Sequence, residues 1–288
     1  MTATIEKPAA AQEESPRRAG ALAALGTGQG LAGVALIAVI ALAGVFAGVL
    51  SSYDPLAQIP GANLLGPSWE HWLGTDHLNR DVAARVLAGI RVDLLIVLLA
   101  VPIGALIGSL AGLAATVNPW ADVTVQRVFD LILAFPALIF AIALAAVTGP
   151  GWHAVVIVII ATEIPIFGRQ IRTAVLAVRE QPFVEASEVI GADTWWTLRK
   201  HVLPNVIEPL GVQLALSLSL AVFIEGAMSF IGIGVRPPEP SLGSLIGESI
   251  ANLDANPWMA IGPLTVVAGL TLGFLLIAQA LGRARRLA

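Results

Sequence analysis

Residues 182–205 read PFVEASEVIGADTWWTLRKHVLPN, a polar, cap-punctuated segment in a chain built mostly of apolar runs. Pro182 suits the first position of a helix, where its missing N–H would have no partner in any case. Phe183, Ala186 and Ile190 fall at i, i+3 and i+7 on one apolar stripe, and Glu185 and Glu188 face elsewhere. Gly191 can take the left-handed conformation that closes a helix. Asp193 is a good N-cap for a second short helix over residues 194–201, stopped by Pro204. Arg199, Lys200 and His201 near its C-terminus, and the acids near the first N-terminus, suit the two helix dipoles. The segment predicts a compact helical elbow. From its residues alone it is either an amphipathic hairpin at a membrane surface or the contact point for a soluble machine.

The chain around the elbow belongs in a bilayer. Of its 288 residues, 57% are hydrophobic and 12% charged, with a mean hydropathy of +0.83; soluble domains carry roughly 25% charged residues. The net charge of −4 points to neither nucleic acid nor an acidic substrate. With no cysteine, a disulfide framework, thiol catalysis and cysteine metal sites are excluded.

Working outward, apolar runs follow the elbow at residues 206–235 and 260–281 and precede it at 155–167 (continuing as helix toward 178), 128–148, 94–115 and 31–50. Each approaches the roughly 20 residues needed to cross a membrane, the 155–167 run only with its extension. The expectation is an all-α integral membrane protein with about six transmembrane helices. A tail at 1–30 leads to an anchor at 31–50, a polar extracytoplasmic interval at 51–90 with a short helix over 81–92, and a core at 91–281. The core includes the elbow at 182–205 and a polar loop at 236–258, and a basic tail follows at 282–288. The 31–50 run exceeds the about 7–15 apolar residues of a secretory signal and reads as a retained anchor. With the N-terminus inside, twelve of the 16 Lys and Arg residues are cytoplasmic and four, Arg80, Arg85, Arg91 and Arg236, lie outside. That satisfies the positive-inside rule and places the elbow and both termini in the cytosol.

Several residues stand out against this frame. Trp120, Trp152 and Trp258 sit at predicted span ends, as interfacial indoles do; Trp195 and Trp196 could anchor the elbow to the membrane or touch a partner. Pro102, Pro136 and Pro165 predict kinks. Gly104, Gly108 and Gly112, four residues apart, predict close helix packing. His71, Asp76, His77 and Asp81 could be proposed as a metal site, but turn and cap chemistry explains Gly74, Asp76 and Asp81 equally. Glu163 and Glu225 are the deepest charges, and each costs about 2.5–3.5 kcal/mol at mid-helix. Asp93 and Asp130 lie near span ends, within reach of interfacial water.

Glu185-Ala186-Ser187, Gly191 five residues after Ala186, and Leu203-Pro204 resemble the EAA loop of permease subunits in binding-protein-dependent ABC importers. Ser187 stands where a second Ala is usual and His201 where many members have Ile. The segment HWLGTDHLNRD, residues 71–81, is similar to the LGTDxxGRD signature of the peptide and nickel type, with Asn79 in place of Gly. The run from Glu225 to Gly234, and the Arg-Pro-Pro and Pro-Ser-Leu-Gly of the 236–258 loop, resemble the same dipeptide and oligopeptide permeases. The resemblance implies a type I importer permease fold in a bacterial inner membrane. Glu185, Ala186, Ser187, Gly191, Ala192, Asp193, Leu203 and Pro204 would then couple to an ATPase, while Arg236, Glu239 and Ser241 would face a solute-binding protein. It also implies a second permease in a heterodimer, two ABC ATPase subunits holding ATP and magnesium, and no cofactor on this chain. Related permeases tend to have a small residue at the position of Glu163, ahead of Pro165. Glu163 could therefore line the translocation path with Pro136, Pro165 and Glu225 and favour a cationic group on the substrate, or pair with Arg169 or a partner subunit. For Glu225 a packing or gating role is favoured over a substrate ligand.

No GxxxxGK[ST], HExxH or GxSxG sequence is present. The mechanism the resemblance implies is alternating access, with ATP binding drawing the elbows together and hydrolysis resetting the path inward. Two other classes remain open: an ion-driven carrier or channel, which would commonly show an internal repeat of spans, and an intramembrane enzyme using Glu163 and Glu225 as acid and base.

Overall fold

The computed structural model describes residues 24–182, 184 and 203–287, without the side chains of 203–208 and 284–287. The elbow from 185 to 202, and with it Glu185, Ala186, Ser187, Gly191, Ala192 and Asp193, lies outside the described residues. In chain order the helices are α1 (Gly28–Val45), α2 (Ala47–Leu50), α3 (Val82–Ala115), α4 (Pro119–Leu133), α5 (Ala137–Thr148), α6 (Trp152–Arg179), α7 (Leu203–Phe230), α8 (Leu242–Ser249) and α9 (Trp258–Leu287). Five of them are long and apolar enough to cross a membrane, and the pair α4 and α5, bent by 85° at its break, supplies a sixth if counted as one span.

Four boundaries differ from the sequence reading. The short helix expected over 81–92 is the first third of α3, a single helix of 34 residues that is about 51 Å long at ~1.5 Å per residue. Hydrocarbon is only about 30 Å thick, so polar residues can occupy the overhang without breaking the helix. The expected span at 128–148 begins at Pro119 and breaks at Ala134–Pro136, because Pro136 has no N–H to give and disfavours helix at Phe135. α7 ends at Phe230 rather than 235, where Gly232 turns the chain at φ +81°. The basic tail continues α9 to Leu287.

α3 and α6 form the axis of the bundle. Gly104 lies against Ile160 and Glu163, Gly108 against the Ile164 carbonyl and Gly112 against the Gly168 carbonyl, so the two helices run parallel in step. Lipid tails are as apolar as leucine, so helices in a bilayer associate through such close packing rather than through release of water. The return strand of chain that a parallel pair requires is α4 with α5; Phe129 of α4 lies against Gly168. α1 runs antiparallel to α9, Gly33 meeting Gly273 and Ile40 meeting Gly269. Val97, Val101, Val155, Ile159, Val222 and Leu270 are buried between the helices, whereas Leu95, Leu98, Leu99, Leu106 and Leu110 of α3 point outward. Pro102 and Pro165 sit within α3 and α6, and Trp120, Trp152 and Trp258 occupy the first turns of α4, α6 and α9, as expected.

Candidate functional site

The segment ahead of α3 is a built anchor rather than a slack loop. Asp81 caps α3, its Oδ1 accepting from the Ala84 N–H at 2.7 Å, and its Oδ2 faces His71 Nδ1 at 2.8 Å. Asp76 Oδ1 accepts from the N–H groups of Leu78 and Arg80 at 2.8 and 2.9 Å, the turn geometry of an Asx residue. Its Oδ2 accepts from Arg80 Nε at 2.7 Å and Arg85 Nη1 at 2.8 Å. Both arginines also reach Glu248 of α8, at 3.0 and 2.7 Å. Asn256 closes the arrangement by donating to the carbonyls of Leu65, Leu73 and Thr75 at 3.1–3.2 Å.

Two backbone positions explain the signature. Gly74 has φ +73° and Asn79 φ +63°; among residues with a side chain, Asn is one of the few that enters this region readily, so it can stand at the Gly position of the LGTDxxGRD signature. Among the described residues no group of three or more His, Cys, Asp or Glu could hold a metal, and His77 is exposed. Asp76 and Asp81 make the turn and cap hydrogen bonds given above, and His71 faces Asp81.

Burial works to raise the Asp76 carboxyl, but the Arg80 N–H, the Arg80 guanidinium and the Arg85 charge outweigh it and hold the group below its ordinary value. A carboxyl lowered in this way contributes its stability above the unfolded value of about 3.9 and loses it as pH falls toward the folded value. Backbone protection of residues 63–80 in hydrogen exchange, corrected for intrinsic rate, is expected to be level between about pH 7 and 5 and to drop below about pH 4. Asp76→Asn should show the weakened protection across the whole range, since removing one partner of a buried ion pair costs on the order of 3–5 kcal/mol.

Within the bundle, Glu163 is 1% exposed and accepts from Ser217 Oγ at 2.6 Å. Ser217 in turn accepts from Gln213 Nε2 at 3.2 Å. Glu163 thus lies between α3, α6 and α7, inside the subunit rather than on an open path. The alternative of a pairing with Arg169 is not made, and Arg169 donates to Asp130 at 2.6 Å. Glu163→Gln keeps the acceptor and the shape, so uptake and substrate preference are expected to stay within about two-fold, whereas Glu163→Leu strands the serine at a cost of about 1–3 kcal/mol, read as a lower melting temperature.

Glu225 is fully buried and accepts from Ser229 Oγ at 2.7 Å. Asp93, expected near interfacial water, is 1% exposed and accepts from the Leu242 N–H at 3.1 Å. An acid–base pair of Glu163 and Glu225 is not assembled: each is held by its own serine. Of the path candidates, Pro165 is buried in α6 and Pro136 is the N-cap of α5.

In the 236–258 loop, Arg236 and Glu239 are exposed, as a docking role needs. Ser241 is not: it is fully buried as the N-cap of α8, exchanging hydrogen bonds with Ser244 in a capping box. Leu203 and Pro204 open α7, where a proline in the first turn breaks no internal bond.

Residues 100–287 match the family of binding-protein-dependent transport system inner membrane components. The chain belongs to that family. The dipeptide transport system permease protein DppC of Alkalihalophilus pseudofirmus is 33% identical over 252 residues, 87% of this chain and 83% of that protein. The glutathione transport system permease protein GsiD of Pectobacterium atrosepticum is 33% identical over 217 residues, 75% and 72% of the two. Among solved structures, the inward-facing MetNI methionine ABC transporter has a TM-score of 0.57 at 20% identity, covering 70% of this permease and 96% of that chain. An amino acid ABC transporter scores 0.55 at 19% identity over 71% and 94%. This permease is therefore a multi-pass inner-membrane transport subunit of an ABC importer, with ATP hydrolysis in separate subunits.

Sequence reasoning singled out neither Glu248 nor Asn256. Glu248 carried a usable signal, a lone acid on a short helix of Leu, Ile, Gly and Ser in a chain with arginines at 80 and 85 outside the cytoplasmic set. Asn256, in a turn ahead of Pro257, carried none.

Proposed function

We propose that this permease forms half of the translocation path for di- or oligopeptides or a peptide-like solute such as glutathione. The observation that carries the reading is the relatedness to dipeptide and glutathione permeases along most of both chains. The nickel part of the family resemblance has no counterpart in those names. The other half of the path is a second, different permease, and two ATPase subunits holding ATP and magnesium dock on the elbows. Glu185, Ala186, Ser187, Gly191, Ala192 and Asp193 make that contact, with Leu203 and Pro204 passing the motion into α7. The excess of Lys and Arg in one set of segments supports a cytosolic elbow and cytosolic termini. The anchor around Asp76, α8 and the exposed Arg236 and Glu239 then face outward, where the binding protein arrives.

The test is purification of the tagged permease in mild detergent with its genomic neighbours, with mass spectrometry of what accompanies it and peptide uptake by cells lacking other peptide importers. Recovery of ATPase subunits and a sister permease, together with uptake of labelled peptide, is the expected result. A permease that purifies alone, or an intact complex that imports no peptide, overturns it.

A further inference from the structure

Helix α8 is fastened by polar bonds to α3 at both of its ends. At its start the Leu242 N–H donates to Asp93 at 3.1 Å, and Gly89 is so close that a β-carbon there would come within 3.2 Å of the Leu242 nitrogen. At its end Glu248 accepts from Arg85 Nη1 at 2.7 Å and from Arg80 Nη2 at 3.0 Å. The six steps from Leu242 to Glu248 span about 9 Å and the eight from Arg85 to Asp93 about 12 Å, so α8 lies along α3 like a splint. Toward α7 its contacts are of another kind. Gly243 rests on the Gly226 backbone and Gly247 near the Phe230 carbonyl, with no hydrogen bond or ion pair between α8 and α7 among the described residues. α8 is thus packed backbone to backbone on α7 and bound by charge-assisted bonds at α3, so a displacement of α8 is passed to α3 through Glu248 and Asp93.

α3 is in turn locked to α6 through Gly104, Gly108 and Gly112, and α6 ends at Arg179, just ahead of the elbow. A continuous stiff path therefore runs from the 236–258 loop through Glu248 to α3, α6 and the segment that enters the elbow.

We infer that Glu248 is a positioning residue of the transport cycle, joining α8 to Arg80 and Arg85 so that docking of the binding protein on the 236–258 loop is felt by α3 and α6. The inference rests on the outward orientation proposed above. Glu248 suits the role because Asp76 already neutralises part of the arginine pair and Glu248 keeps 16% of its side chain exposed. Removing its charge reduces the link from charge-assisted to neutral hydrogen bonds without emptying the cluster of acid.

The experiment uses the complete transporter in lipid nanodiscs, with the binding protein encoded beside it purified in its loaded form. Basal ATPase rate and its stimulation are measured against binding-protein concentration. Glu248→Gln is expected to assemble, to keep the basal rate and the half-stimulating concentration within two-fold, and to lose at least five-fold in maximal stimulation. The double variant Arg80→Gln/Glu248→Gln, which removes one charge of each sign, is expected to lose the same maximum. A maximum within two-fold of wild type in either variant overturns the inference, as does a raised half-stimulating concentration at full maximum, which would make Glu248 a docking contact. Loss of basal rate in both variants overturns it in favour of a folding role. A wild-type transporter that imports and hydrolyses ATP without response to the binding protein overturns the orientation reading together with this one, whereas variants that match a responsive wild type overturn this one alone.

Discussion

Gly108→Val is expected to remove folded permease from the membrane almost completely. A β-carbon at Gly108 would already collide with the Ile164 carbonyl of α6, and valine adds two methyl groups beyond it. Backbone cannot retreat as a side-chain tip can. The parallel pair must separate, and the neighbouring contacts of Gly104 with Glu163 and of Gly112 with Gly168 open with it. Overpacking at one well-filled site costs about 1–3 kcal/mol, and here three linked contacts are lost in the axis of a fold whose total stability is about 5–15 kcal/mol. The measurement is the monodisperse fraction in fluorescence-detected size exclusion, expected to fall at least ten-fold. Gly211→Ala is the control: its β-carbon meets nothing within 4 Å and should leave the peak unchanged or raise the melting temperature. A Gly108→Val variant with a normal peak would mean that α3 and α6 are not in close contact.

Gly191→Asp is expected to abolish peptide uptake, by a hundred-fold or more, while the permease still inserts and accumulates. The pattern around it, an apolar stripe of Phe183, Ala186 and Ile190 followed by Gly and then the cap Asp193, asks for a left-handed residue between two short helices. Aspartate tolerates that conformation less readily and adds a charge at the contact. The local cost is about 1 kcal/mol, too small to unfold a membrane bundle. If the coupling role proposed above holds, the substitution would alter the turn that the sequence predicts there, and with it the proposed seating on the ATPase. Uptake and ATPase rate measured on the same vesicles separate the outcomes: hydrolysis without uptake is the expected pair, and normal uptake would remove Gly191 from the coupling role.

The exchange that the anchor makes with pH and the one that Glu163 makes with Ser217 belong to a different scale. Both are changes in local stability, and both are smaller than the loss of a helix interface or of the contact that transmits work.

What the sequence by itself determined is the class of protein. Long apolar runs, indoles at their ends, glycines four apart and an uneven share of Lys and Arg are properties of consecutive residues, so they survive being read as a string. The EAA-like elbow and the LGTD signature are local for the same reason: turns and caps are built within four or five residues, which is why Asp76, Asp81 and Gly74 were read as turn chemistry and found there. Only the tertiary structure decided who meets whom. That Asp93 is buried against α8, and that Arg169 turns to Asp130 and leaves Glu163 to Ser217, are outcomes of pairing across 39 to 149 residues; the Ser241 cap is local, but its burial is tertiary. So is the meeting of Glu248 with Arg80 and Arg85, more than 160 positions apart. The physical reason is that a charge inside a bilayer protein must find a partner, and hydropathy says only that the need exists; which partner satisfies it is set by the register of helices packed through their glycines.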